Sequence, residues 1–170
     1  MQRLQELERL MQQGHCAESQ RDIHNTHGNI EKLVQCYFHY IRQCIQKGFP
    51  SLEYMRKYLG AAAAKYGGYI DAQGEITPQR DMAFVGNSDC QFTATGYSIH
   101  RVWLQNDSRL TAIASDHSHL HIDCFGNSQL VVRVANPTAR VWVNLYGNSN
   151  CIAEGYSNRV ITTIHNQETY

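Results

Sequence analysis

The residues best equipped for chemistry lie in one short stretch, His117-Ser118-His119-Leu120-His121-Ile122-Asp123. In a strand, alternation puts His119, His121 and Asp123 on one side of the backbone, and two imidazoles beside a carboxylate are donors that a divalent metal accepts. A plainer reading leaves the same side chains solvated or hydrogen-bonded on a sheet surface. Both tryptophans, Trp103 and Trp142, point to the same side as these residues, together with Arg101, Arg140 and Asn144. Rings interleaved with Arg, His and Asn are the makings of a recognition surface, because the ring supplies area and the polar groups fix orientation. The same residues also suit cross-strand stacking with no further role. No nucleophile stands beside a base in these motifs, so a non-catalytic binding role is read first and a metal-dependent enzyme on His119, His121 and Asp123 second. Phosphate loops and paired zinc-type cysteines are absent, and no cofactor is expected.

What must position these groups is a repeat. Ser or Thr recurs every ten residues at Ser88, Ser98, Ser108, Ser118, Ser128 and Thr138, then at Ser149 after one inserted residue. Two positions before each mark stands a turn-former: Gly86, Gly96, Asn106, Asp116, Gly126, Asn136 and Gly147. Between the marks, alternate positions are apolar, as in Cys90/Phe92/Ala94, Leu120/Ile122/Cys124 and Val141/Val143/Leu145. His100 also falls at an inward position, as a core histidine satisfied locally. Each unit is therefore a strand of about six residues with one buried face, closed by a turn. Equivalent turns are required to look alike only where they stack, so the pattern favours a parallel β-solenoid over an antiparallel meander. With two strands per coil, alternate units share an outer face. One face collects Gln91, Thr93, Thr111, Ile113, Val131, Arg133, Ile152 and Glu154, whose apolar members call for a covering helical segment or partner. The other collects Arg101, Trp103, His119, His121, Asp123, Phe125, Arg140, Trp142, Asn144 and Tyr146, the expected ligand- or partner-binding set.

Upstream, Leu4, Leu7, Leu10 and Met11 mark an amphipathic helix ending at Gly14, and 15–28 reads as a polar loop. A second helix is expected from an Asn29 N-cap to Gly48, and a third from a Ser51 N-cap through Leu59. The expected fold is α+β: a helical segment over 1–66, a connector over 67–81, and a β-solenoid over 82–170 of about four two-strand coils, which the helices would cap. Its far end, near Arg159 to Ile164, is less guarded and is a candidate for self-association.

The helical pair invites a helix-turn-helix reading with Arg56, Lys57 and Lys65 on phosphate, but fifteen basic and fifteen acidic residues cancel and argue against nucleic acid. The opening residues show no leader or membrane segment, so a cytoplasmic address is expected. Six scattered cysteines read as reduced thiols. From 82 to 165 the G-N-S turns and alternating strands resemble the short parallel β-solenoids of adhesin heads and bactofilin-like proteins. With G-F-P-S-L-E-Y-M-R-K-Y-L ahead of them, the repeats are also similar to small proteins of gut Bacteroidetes and their phages or mobile elements. That likeness implies a phage-associated or mobile-element setting and nothing about mechanism.

Overall fold

The computed structural model describes residues 2–11 and 15–170, in two compact units, 1–66 with Tyr170, and 67–169. In the first, α1 (Gln2–Met11), α2 (Ala17–Asn25), α3 (Ile30–His39), α4 (Ile41–Lys47) and α5 (Leu52–Tyr58) precede a 3-10 helix over Gly60–Tyr66. Gly14, the expected end of the first helix, lies outside the described residues. The stretch read as a loop contains α2, a helix with one strongly apolar side chain: Ile23 joins Leu7, Met11, Leu33 and Tyr54 in a buried cluster, and that docking supplies what local sequence lacks. The single helix expected over 29–48 is broken at Tyr40, whose backbone leaves helical geometry at φ −103°, ψ 19°. Its predicted ends hold. Asn29 accepts a bond from the Lys32 amide at 3.1 Å, Gly48 closes the segment in the left-handed region, and Ser51 caps α5 by accepting from the Tyr54 amide at 3.2 Å. Among the described residues, no helix is long and apolar enough to cross a membrane.

The second unit is a parallel β-solenoid of about five coils. One sheet, here sheet A, contains β1 (Gly68–Ile70), β3 (Asp81–Val85), β5 (Ile99–Leu104), β7 (His119–Cys124), β9 (Arg140–Leu145) and β11 (Val160–Ile164), in that order. Sheet B contains β2 (Gln73–Glu75), β4 (Asp89–Ala94), β6 (Arg109–Ala114), β8 (Gln129–Val134) and β10 (Asn150–Gly155). The stretch 67–81, read as a connector, supplies the strands of the first coil, so the stack is longer than the four coils counted from the repeat.

Register follows the ten-residue mark. Arg109 pairs with Asp89 and with Gln129, and beyond the inserted Ala139 the pairing resumes with His119 beside Arg140. Inward positions hold the core: Phe84, Phe92, Leu104, Leu110, Leu120, Ile122, Leu130, Val132 and Val141 are sealed from solvent. Each such side chain stabilises the fold by about 1.5–3 kcal/mol relative to exposure. Of the apolar residues on the outer side of sheet B, Ile113 and Val131 are half-buried and Ile152 is 58% exposed. His100 faces inward as expected. Its Nδ1 donates to the Gln79 carbonyl at 2.7 Å, while Nε2 is buried without a hydrogen-bond partner among the described residues.

The corners show why the turn residues recur. Asn106 Oδ1 accepts from the amide of Gly86 at 2.9 Å, Asp116 Oδ2 from that of Gly96 at 2.8 Å, and Asn136 Oδ1 from that of Asp116 at 3.0 Å. Each turn side chain thus satisfies a backbone donor one coil earlier. Three of the serines bind in the same direction, Ser88 donating to Tyr69 O, Ser108 to Gly86 O and Ser149 to Cys124 O, whereas the buried hydroxyls of Ser98 and Ser118 have no hydrogen-bond partner among the described residues.

All six cysteines are free thiols. Burial pushes Cys90 and Cys151 up to about 11 and Cys44 up to about 12, and drives Cys124 well above its ordinary range, whereas hydrogen bonding with Ser19 lowers exposed Cys16. Alkylation of the native protein followed by mass mapping is therefore expected to mark Cys16 first, with Cys44, Cys90 and Cys124 protected until denaturant is added. The corners yield a second prediction. Gly155 has φ +71°, and an added Cβ would stand 2.3 Å from Val134 O, whereas Gly96, with φ +64°, has open space around it. Gly96→Ala should cost about 1 kcal/mol from the left-handed backbone alone, and Gly155→Ala about 2 kcal/mol or more, as read by urea denaturation.

Candidate functional site

Parallel pairing assembles the outer face of sheet A into rows. Ile99, His119 and Arg140 form one row; Arg101, His121, Trp142 and Ile161 the next; Trp103, Asp123, Asn144 and Thr163 the third. Eight of the ten residues expected on this face therefore share it, three strands wide and held by the core beneath, whereas Phe125 and Tyr146 follow the ends of β7 and β9 and are buried.

Within the rows, the side chains are committed to one another. The guanidinium of Arg101 clasps Asp81 through two bonds, at 2.6 and 2.9 Å, and lies 5.7 Å from the Trp103 ring centre. Asp81 stands one coil before Arg101, and in the sequence it fell within the connector; an acid at the matching place in the preceding unit was the signal to look for. His121 stacks on Trp142 at 4.7 Å with planes 8° apart, and His119 meets the same indole edge-on at 5.7 Å. Stacking between neighbouring strands spends one face of the indole on His121, and on the next strand Ile161 is the residue in register with Trp142.

The third row ends in a hydrogen-bonded chain. Asn144 Nδ2 donates to Asp123 Oδ1 at 2.7 Å, and its Oδ1 lies 3.1 Å from His165 Nε2. Because the carboxylate only accepts, the amide nitrogen faces Asp123, and the amide oxygen accepts a hydrogen bond from His165, which assigns the N–H of that ring to Nε2. His165 also caps a stack in which Phe125 lies 4.8 Å from Tyr146 and Tyr146 lies 4.3 Å from the histidine. His165 was not among the expected residues. It falls in the irregular last unit, where the ten-residue mark no longer fixes position.

These commitments sort the expected residues. Trp103 is 7% exposed, and Phe125 and Tyr146 are buried, so none of the three offers its ring to a ligand. Arg101 and His121 are exposed; His119, Asp123, Arg140, Trp142 and Asn144 are half-buried. The three metal candidates hold other partners, His119 and His121 on Trp142 and Asp123 on Asn144. Among the described residues, no group of three or more His, Cys, Asp or Glu side chains is placed to hold a metal ion. Cys124, next along the strand from Asp123, points into the core as a protonated thiol and supplies no nucleophile to the outer face.

The most accessible aromatic group was also outside the expected set. Tyr97 is 88% exposed and stacks on His117 at 4.5 Å with planes 12° apart, at the corner leading into β5. Ile99, which opens β5, is 61% exposed. In the helical unit, Lys57 binds Glu6 at 3.1 Å and lies over the Tyr58 ring, and Lys65 lies over the Tyr66 ring.

No family model, curated protein or solved structure matches the chain. Its chemistry is therefore read from the solenoid itself: a rigid sheet face whose exposed margin joins an unshielded tyrosine and isoleucine to two histidines, an arginine and the edge of an indole.

The two tryptophans should differ sharply in solution. In a Trp103→Phe protein the remaining half-buried Trp142 should be quenched efficiently by acrylamide, whereas in a Trp142→Phe protein the buried Trp103 should be quenched several-fold less. Equal Stern–Volmer slopes would contradict the placement of the two rings.

Proposed function

We propose that this protein is a non-catalytic binding module that docks a protein partner on the outer face of sheet A. The contact would run from Tyr97 and Ile99 across His119, His121 and Arg140 to Trp142. The observation that carries this reading is the exposure of Tyr97 and Ile99, 88% and 61%, beside a stacked array that the core holds in place. Large apolar side chains left in water at the margin of an ordered polar surface are a feature of protein contact sites.

The stacking also discriminates between ligand classes. A sugar ring or nucleobase needs the open face of an aromatic ring, and here His121 takes one face of the Trp142 indole and His117 one face of the Tyr97 ring. Positive charge on the face is small, since Arg101 is neutralised by Asp81 and the whole chain carries no net charge. A protein surface asks for neither open ring faces nor excess charge, and it can use ring edges, methyl groups and single hydrogen bonds together. The likeness to proteins of gut Bacteroidetes and their phages supports a partner in that setting.

The test is affinity capture with a triple variant, Tyr97→Ser, Ile99→Ser and Trp142→Ala. These side chains are exposed or half-buried, so the circular dichroism spectrum should match the wild type. Partners retained by the wild-type protein should be lost from the variant by about tenfold or more, as expected where anchor residues dominate an interface. Equal recovery on both proteins would refute the assignment of the face.

A further inference from the structure

The last coil differs from every other coil in what it leaves open. Sheet A ends on β11 and sheet B on β10, each with a neighbouring strand on one side only. Between them the core itself reaches solvent. Ala153 and Thr162 occupy inward register, beside Val132 and Val143 of the coil before, yet both are exposed, and inward-facing Ile164 is 75% exposed. Sheet edges are ordinarily protected by shortness, proline, lysine or a bulge. β10 and β11 are six and five residues long and contain neither lysine nor proline.

We propose that two copies of this chain pair tail to tail through their last coils, β11 running antiparallel to β11 of the second copy about a two-fold axis at Thr162. Three observations identify the occupant. The first is width: the open end has two strand edges with a core mouth between them, so a single added peptide strand would cover one edge and leave the rest wet. A second last coil has the same two edges at the same spacing.

The second is parity. With Thr162 on the axis, inward Val160 lies opposite inward Ile164 of the other copy, so the two cores join and no side chain changes face. The third is charge. Antiparallel self-pairing sets like residues near one another, and β11 has no charged residue, whereas Asp81, Arg101, Asp123 and Arg140 mark the four strands before it in sheet A. On β10 the one charge, Glu154, is already bound by Arg133 at 2.6 Å.

The opposite end excludes a head-to-tail chain. β1 and β2 are three residues each, too short to match the last coil, so the self-contact is isologous and closes at two copies. Two strands of ~20 Å across a core of ~10 Å bury only on the order of 1,000 Å² in total, which makes the dimer reversible.

Sedimentation equilibrium of the full chain, from low micromolar to submillimolar concentration, tests this. The mass should rise from 19.4 kDa toward twice that value. Thr162→Lys, whose side chain has solvent to enter in the monomer, should weaken dimerisation by at least about tenfold by placing two ammonium groups on the axis. Tyr97→Lys, far from the last coil, should leave it unchanged. Thr162→Cys should give a disulfide-linked dimer on mild oxidation, above the background from the native cysteines. A constant monomer mass, a dimer indifferent to Thr162→Lys, or polymers that grow without limit would each overturn the proposal.

Discussion

The solenoid depends on hydrogen bonds that run from one corner to the corner before it. Backbone pairing between parallel strands would tolerate a slip of two residues, since inward and outward sides would be preserved. The corners do not tolerate it. Asn106, Asp116 and Asn136 each deliver a side-chain oxygen to an amide in the previous turn, and Ser88 and Ser108 donate to carbonyls there as well. A slipped coil would break all of these bonds, and at the buried hydroxyls of Ser88 and Ser108 it would leave groups unpaired away from water, at about 1–3 kcal/mol for each. The corners therefore hold register, and register decides which side chains meet on the outer faces. The pairing of Arg101 with Asp81 and the stacking of His121 on Trp142 are results of that constraint.

Much of this architecture could be read from the chain because the two signals it contains are periodic. Alternation assigns the inward residues of every central strand, and the turn marks distinguish stacked corners from the unconstrained turns of a meander. Legibility fails where periodicity fails. The first coil was hidden because β1 and β2 have three residues apiece, too few to show alternation. The last unit concealed His165 for a related reason. Helix α2 was missed because Ile23 is nearly its whole apolar contribution, so its stability comes from the cluster it enters. The break at Tyr40 leaves no mark in composition, since apolar residues continue on both sides of it.

The outer face illustrates a second limit. The sequence identifies which residues share a side, but each must then spend its groups on particular neighbours. Trp103 and Trp142 face the same side of sheet A from different rows, and one is buried beside Arg101 while the other is half-open beside His121. Availability of an aromatic ring is a property of the finished surface. Tyr97 shows the converse: it lies in a turn, outside any alternating strand, and is the most exposed of the large apolar side chains.

Ala139 has an implication for how such a molecule can change. This one extra residue is sealed completely, yet strands on both sides of it keep their partners. An insertion confined to a corner is absorbed locally, while the same insertion within a strand would turn every later side chain inside out. A single added residue is therefore tolerated at a corner where it would not be within a strand. Whole coils remain exchangeable, because each touches only those directly above and below it. Height is then adjustable in steps of about 4.8 Å per coil, the spacing between neighbouring strands, so the separation between surfaces on different coils can be reset without redesigning either one.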